Sequence, residues 1–234
     1  MIKAMKLAAT LTVLGMIGAV APAQAAPYGN IAPPGVYYGT GNFNGNFTIG
    51  NTNGIEVALR AKIRGGDSID GSSGIYQAQP SLPGSNRALW NYDFSINTAG
   101  SEQLLSGFQY RLGVDHDPTA GTLFSYVNPL TGFAGNSFYR GPFGLGPITG
   151  VQNSENVGFA STPGGAFNVS ADGLYTFNLA AFALDDGSFS NPLSQTSILV
   201  RVGNPAAAAV PEPMTLALFG VGLLGFAGAR RRKA

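Results

Sequence analysis

The sequence predicts an all-β protein whose body is an antiparallel β-sandwich, and three observations support this fold class. Apolar and polar residues alternate in several runs, as they do in strands with one buried face. The body shows no sustained apolar period of about 3.6 residues, so helices should be few. Glycine, asparagine and proline separate the runs and favour turns. Many strands without alternating helices predict a sandwich, and jelly-roll connectivity is our first expectation.

The predicted strands follow one another from residue 43 to residue 202. The clearest is 55–63, where the apolar side chains should face the core while Glu56, Arg60 and Lys62 face water. The other predicted strands are 43–49, 88–96, 108–114, 123–127, 157–160, 166–169, 173–183 and 197–202, with a polar loop at 65–86, a Gly- and Pro-rich loop at 128–150 and a turn at 185–187.

The N-terminus has the three parts of a secretory signal peptide. Lys3 and Lys6 give a charged start, residues 7–20 are apolar, and Ala23 and Ala25 form a small-x-small cleavage site. We therefore expect residues 1–25 to be removed after Ala25, with the Sec translocase and signal peptidase as partners.

The C-terminus also has three parts. The apolar run 214–229 would form a helix of about 24 Å, short of the hydrocarbon core of about 30 Å, so it suits a temporary transmembrane hold. The basic cluster after it should stay cytoplasmic, which leaves the body on the far side of the membrane. The motif before the run is Val210, Pro211, Glu212 and Pro213, and the basic stop is Arg230, Arg231, Arg232 and Lys233.

These C-terminal residues resemble the PEP-CTERM sorting signal of Gram-negative bacteria. The resemblance implies that an exosortase, a membrane enzyme, recognises Pro-Glu-Pro and cleaves near it while the chain is held in the inner membrane. Such proteins tend to occur in organisms that make exopolysaccharide. The resemblance covers only residues 210–234 and implies no function for the body. An ordinary C-terminal membrane anchor is the alternative interpretation.

The composition between the two ends indicates one secreted domain at 26–205, followed by an Ala-rich linker at 206–210. The stretch 26–210 contains seven cations and eleven anions, a net charge of −4, so nucleic acid is a poor partner. The chain has no cysteine, which excludes disulfides, thiolate chemistry and Cys-ligated metals.

Three oxygen-rich clusters could hold a stabilising Ca²⁺ in the secreted domain. Carboxylate and amide oxygens are the ligands that Ca²⁺ takes, although none of the clusters has EF-hand spacing. Turns stabilised by side chain–backbone hydrogen bonds explain the same residues and are the favoured interpretation. The clusters are Asp115 with Asp117, Asn153 with Glu155, and Asp185 with Asp186.

No catalytic signature rises above this background, so we expect the body not to be an enzyme. His116 is the only histidine, and no Gly-x-Ser-x-Gly elbow accompanies it. Asp115 and Asp117 are too close in sequence to face each other across a sugar bond as glycosidase carboxylates do. We expect His116 to be a solvated loop residue.

Aromatic residues in the loop 128–150 are the candidate contacts for a glycan, because exposed rings stack on sugars. A loop packed over the end of the sandwich explains them equally well. Trp90 belongs to an alternating strand and should be a core residue. The candidate contacts are Phe133, Phe138, Tyr139 and Phe143.

The hypothesis from sequence is a non-enzymatic surface or matrix protein, structural or adhesive, linked to exopolysaccharide or biofilm. A carbohydrate-binding module with a defined glycan is the first alternative. A polysaccharide-modifying enzyme is the second.

Overall fold

The alternating runs form strands of two packed sheets in a computed structural model of the chain, which describes residues 26–38, 45–141 and 144–205. Two single-turn 3₁₀ helices, Ala99–Ser101 and Leu105–Gly107, are the helical elements of this part. The strands are β1 Tyr28–Gly29, β2 Phe47–Thr52, β3 Ile55–Ile63, β4 Ile75–Ala78, β5 Trp90–Asn97, β6 Phe108–Asp115, β7 Phe124–Val127, β8 Ser137–Tyr139, β9 Gly150–Glu155, β10 Gly173–Ala183 and β11 Ser194–Val202. The prediction of an all-β sandwich is confirmed.

Several predicted features lie outside the described residues. They are the signal peptide 1–25 with Ala23 and Ala25, the candidate glycan contact Phe143, the linker 206–210, the motif Val210–Pro213, the span 214–229 and the basic stop 230–233. Among the described residues, no helix is long and apolar enough to cross a membrane.

The sheets have the orders β1-β2-β3-β5-β9-β8 and β4-β11-β10-β6-β7. All the strand pairs are antiparallel except β4 with β11, so the second sheet is mixed. The expected jelly-roll connectivity is not found. A jelly roll places its first and last strands side by side in one sheet, whereas here they lie in opposite sheets.

The longest alternating runs are the most accurate strand predictions, since β3 and β10 have the predicted bounds. Two short strands, β4 and β8, lie inside the predicted loops, because three or four residues carry too little alternation to be recognised. The strands predicted at 157–160 and 166–169 are wrong.

Asn156 is the physical reason for the wrong strand at 157–160. Its buried side chain accepts a hydrogen bond from the Ala88 N–H at 2.9 Å and donates to the Trp90 carbonyl at 3.0 Å. Its backbone carbonyl accepts from the Phe159 N–H at 2.9 Å and so closes a turn. The chain therefore turns directly after β9 instead of forming another strand.

The core lies between the two sheets and is rich in aromatic side chains. Phe177 on β10 packs against Trp90 and Tyr92 on β5, with ring centroids 5.9 and 4.8 Å apart. All three are buried, so Trp90 is a core residue as its alternation predicts.

The polar face of β3 contradicts the prediction that it faces water. Glu56, Arg60 and Lys62 are 5%, 1% and 3% exposed. The N-terminal segment and β2 cover Glu56 and Arg60. The Ala32 N–H donates to the Glu56 carboxylate, and the Arg60 guanidinium lies over the Phe47 ring, 4.3 Å from its centroid. Alternation shows that a strand has two different faces, but not that the polar face is left open.

Candidate functional site

A groove of about 730 Å³ runs along the outer face of the second sheet. The register places the side chains of Tyr126, Asn178 and Ser197 in one row across β7, β6, β10 and β11. Arg111 and Gln195 belong to the neighbouring row, with Ala180 between them. A volume of this size is ordinary for a small-ligand site.

Gly113 makes room for this arrangement. It lies on β6 between Tyr126 and Asn178 in the register. A Cβ at position 113 would collide with the Asn178 amide oxygen and with the edge of the Tyr126 ring. Glycine is therefore needed here for the close approach of two side chains across the strand.

The Arg111 guanidinium contacts two aromatic rings of the groove. Its Cζ lies 3.6 Å from the centroid of Tyr126 and 5.2 Å from that of Phe189. Contacts of this kind use the flat face of the guanidinium and leave its N–H edge available. Among the described residues the Arg111 guanidinium has no ion-pair partner and no hydrogen-bond acceptor.

The turn between β10 and β11 brings Phe189 to the groove. The Asp186 carboxylate accepts hydrogen bonds from the Ser190 N–H at 3.1 Å, the Asn191 N–H at 2.9 Å and the Ser188 hydroxyl at 2.7 Å. These bonds lower the pKa of Asp186. Phe189 itself has a φ of 53°, an uncommon conformation for a bulky residue.

The groove lies toward one end of the sandwich, away from the point where the chain leaves it. Gly203 and Asn204 are fastened by bonds from their N–H groups to the Ala78 carbonyl at 3.0 Å and to the Asp172 carboxylate at 3.1 Å. Gln195 lies about 23 Å back along β11 from Val202, at about 3.3 Å per residue. The described part of the chain, which ends at Pro205, therefore leaves the sheet at the other end of β11 from Gln195.

The predicted cluster at the end of β6 is a backbone turn in the structure. Asp115 is buried, and its carboxylate accepts from the N–H groups of Asp117, Leu123 and Thr176 at 3.0, 2.7 and 3.2 Å. Hydrogen bonds from the Thr119 side chain and from the Thr119 N–H, the latter at 2.9 Å, lower the pKa of Asp117. These bonds fit the turn interpretation.

The described residues contain no group of three or more His, Asp or Glu side chains placed to hold a metal ion. A Ca²⁺ site at Asp115, Asp117, Asn153, Glu155, Asp185 or Asp186 stays a prediction.

His116 is more enclosed than the solvated loop residue that its sequence context predicts. Its Nε2 lies within hydrogen-bond distance of the Pro163 carbonyl, and its ring packs on Phe167 with centroids 4.7 Å apart. These contacts position the ring structurally, between the β6 turn and the loop 156–172.

The aromatic candidates of the loop 128–150 have different environments. Phe133 is 7% exposed and packs on Phe94 with centroids 5.7 Å apart, so a surface contact with a glycan is not open to it. Tyr139 packs on Tyr37 at 5.5 Å, while Phe138 is 43% exposed. Of these three, Phe138 offers the most ring surface to a ligand.

Glu155 is a buried carboxyl group on the inner face of β9, opposite Tyr92 in the register. Its Oε1 accepts from the Asn153 amide at 2.9 Å, and that amide also donates to Asn136 Oδ1 at 2.9 Å. Burial raises the pKa of Glu155 from 4.5 to about 7, and the bond from Asn153 opposes this rise. The structure thus brings together two predicted residues and adds Asn136.

We predict that Glu155→Gln removes a pH dependence of stability. The folded pKa lies above the unfolded one, so stability is greatest below about pH 4.5 and falls as the pH rises to about 7. Relative to wild type, the variant should gain roughly 2 kcal/mol at pH 8 after allowance for solvent screening, and nothing at pH 4.5. Urea unfolding at both pH values measures this. If the variant and the wild type differ in free energy of unfolding by the same amount at both pH values, Glu155 does not titrate as predicted.

Sequence reasoning missed the groove residues Arg111, Tyr126, Asn178 and Gln195. They are polar or aromatic positions on four strands, and they form one surface only when the strand order and register are known. The signal available in the sequence was the alternation of polar and apolar residues along the long strands. This alternation does not show which strands lie side by side in the sheet.

Comparison with curated proteins and with solved structures found no match to this chain. One family model matches, and its description is the PEP-CTERM protein-sorting motif. Because residues 209–233 match that model, the chain carries a PEP-CTERM sorting signal at its C-terminus, which marks it as an exported protein that an exosortase processes at the membrane.

Proposed function

We propose that the processed protein is a non-enzymatic structural or adhesive component of the cell surface or matrix, and that its sandwich associates with exopolysaccharide. The sorting signal supports the delivery of the body to the outside. The groove on the second sheet is the single observation that carries the polysaccharide association.

The groove has features that suit a polysaccharide chain. It lies on the outer face of the sheet and is open to solvent, and Asn178, Ser197 and Gln195 contribute amides and a hydroxyl that can bond to sugar hydroxyls. The side chains of these three residues make no hydrogen bond within the part of the chain that the structure describes. Their bonding capacity is therefore available to a ligand.

The bonds made by three of the buried carboxylates support a non-enzymatic body. Asp93 pairs with Arg60, Asp115 binds three backbone N–H groups, and Glu56 binds the Ala32 N–H. Each of these groups stabilises the fold through its bonds. A glycosidase would need two carboxyl groups placed on either side of a sugar bond.

A carbohydrate-binding module with a defined glycan is the second candidate, and the groove favours it over the loop 128–150. Phe133 is buried in that loop and Tyr139 packs on Tyr37, whereas the groove has its polar and aromatic groups on one surface. A structural protein would bind its matrix through weak repeated contacts, while a module would bind one glycan with measurable selectivity.

Cell fractionation tests the proposed function. In cells that make exopolysaccharide, the processed protein should be recovered with the polysaccharide layer. In cells whose exopolysaccharide synthesis is blocked, the same processed form should move to the medium. If the processed protein is distributed between the fractions in the same way in both strains, the proposed association with exopolysaccharide is contradicted. Equal processing in both strains is the control that the sorting step is intact.

A further inference from the structure

We propose that the groove binds a polysaccharide that carries carboxylates, such as a polyuronate, and that the Arg111 guanidinium is the partner of the sugar carboxylate. This inference rests on the proposed association with polysaccharide and names the chemical class of the ligand.

The first argument is the fixed position of Arg111. Tyr126 covers one face of the guanidinium at 3.6 Å, and Phe189 approaches it at 5.2 Å. The contacts hold the plane of the guanidinium and leave its edge to donate two parallel hydrogen bonds, the arrangement that a carboxylate accepts. Tyr126 and Phe189 are thus positioning residues, and Arg111 is the binding residue.

The second argument is the surrounding charge. Arg111 has no acidic partner among the described residues, whose only ion pair joins Arg60 and Asp93. Asp186, in the turn that carries Phe189, already accepts three hydrogen bonds within that turn. The body as a whole has a net charge of −4, so an anionic ligand needs a local cation, and Arg111 supplies it.

The third argument comes from the predicted N-terminus of the mature protein. Ala26 also lines the groove. Cleavage after Ala25 would leave the α-amino group of Ala26 at its edge, and this group has an ordinary pKa near 8, so it is mostly protonated at neutral pH. Removal of the signal peptide would thereby add a second positive charge to the groove.

The remaining contacts suit the rest of a sugar ring. Asn178 and Gln195 can each donate and accept, and Ser197 presents a hydroxyl in the same row as Asn178. A neutral sugar can use these groups as well as an acidic one. Among the described residues that line the groove, only Arg111 and the N-terminus distinguish a carboxylate from the CH₂OH group of a neutral sugar.

The test uses the processed protein purified from its own cells and three acidic probes: oligogalacturonate, oligoguluronate and oligoglucuronate. Each probe is paired with its carboxyl-reduced form, which keeps the linkage and loses the charge. Calorimetric titration should show that at least one acidic probe binds, and that its reduced form binds about tenfold to a hundredfold more weakly. Arg111→Gln should weaken the acidic probe by a similar factor and leave the reduced form unchanged.

Arg201→Gln is the matched control, because Arg201 is on β11 in the same sheet but outside the groove. It should bind like the wild type. Tyr126→Ala should lose affinity while Tyr126→Phe retains it, and thermal unfolding checks that each variant is folded. Equal binding of acidic and reduced probes, no effect of Arg111→Gln, or no binding of any acidic probe would overturn the inference. If the protein still follows exopolysaccharide in cells, the proposed function survives that failure.

Discussion

Replacement of Pro211, Glu212 and Pro213 by alanine will leave the protein uncleaved in the inner membrane. The motif lies within the matched sorting signal, whose recognition by the exosortase should depend on these three residues. Alanine removes both prolines and the carboxylate. Immunoblots of membrane and surface fractions should show a single longer form in the membrane, where the wild type gives a shorter surface form.

The matched control changes Ala207 and Ala208 to serine, just upstream of the matched residues 209–233. This variant keeps the length of the chain and the motif and should be processed normally. Normal processing of the triple-alanine variant would contradict recognition of Pro-Glu-Pro.

Asp93→Asn will destabilise the folded body by about 3–5 kcal/mol, because it leaves the Arg60 guanidinium buried without its partner charge. The Arg60 Nε donates to Asp93 Oδ2 at 2.7 Å, and the two side chains are 1% and 0% exposed. The free energy of unfolding from urea titration at pH 7 measures the effect. A pair on a solvated face, as the alternation predicts for Arg60, would lose only about 0–1 kcal/mol.

Two variants complete this experiment. Asp67→Asn changes an exposed acid and should alter stability by less than about 0.5 kcal/mol. The double variant Arg60→Met with Asp93→Leu replaces both charges by apolar groups and should recover much of the loss. A loss below about 1 kcal/mol for Asp93→Asn would show that the buried pair contributes no more to stability than a pair on a solvated face.

The fold class and the long strands could be predicted because alternation over eight or more residues seldom occurs outside strands that have one buried face. β3 and β10 are the examples. The parallel strand β4 could not be predicted from sequence. Its four residues are held in the sheet by hydrogen bonds to β11, which lies more than a hundred residues away in sequence. Asn156 shows the same limit, since its bonds to the Ala88 and Trp90 backbone replace a strand.

The sorting signal can be recognised from sequence because its parts are contiguous. The groove cannot, because Arg111, Asn178 and Gln195 come from three strands that only the register aligns. The choice between an exposed and a packed Phe133 could not be made from sequence, for a related reason. A Gly- and Pro-rich loop indicates exposure, but Phe94 on β5 receives the ring and buries it.

Co-sedimentation of the processed protein with the exopolysaccharide of its own cells tests the central claim most directly. We predict saturable binding in buffer with Ca²⁺ that persists in EDTA, because Arg111 contacts the ligand without a bridging cation, and about tenfold weaker binding by Arg111→Gln. Absence of sedimentation by the wild type in both buffers would contradict the account and direct the search toward protein partners.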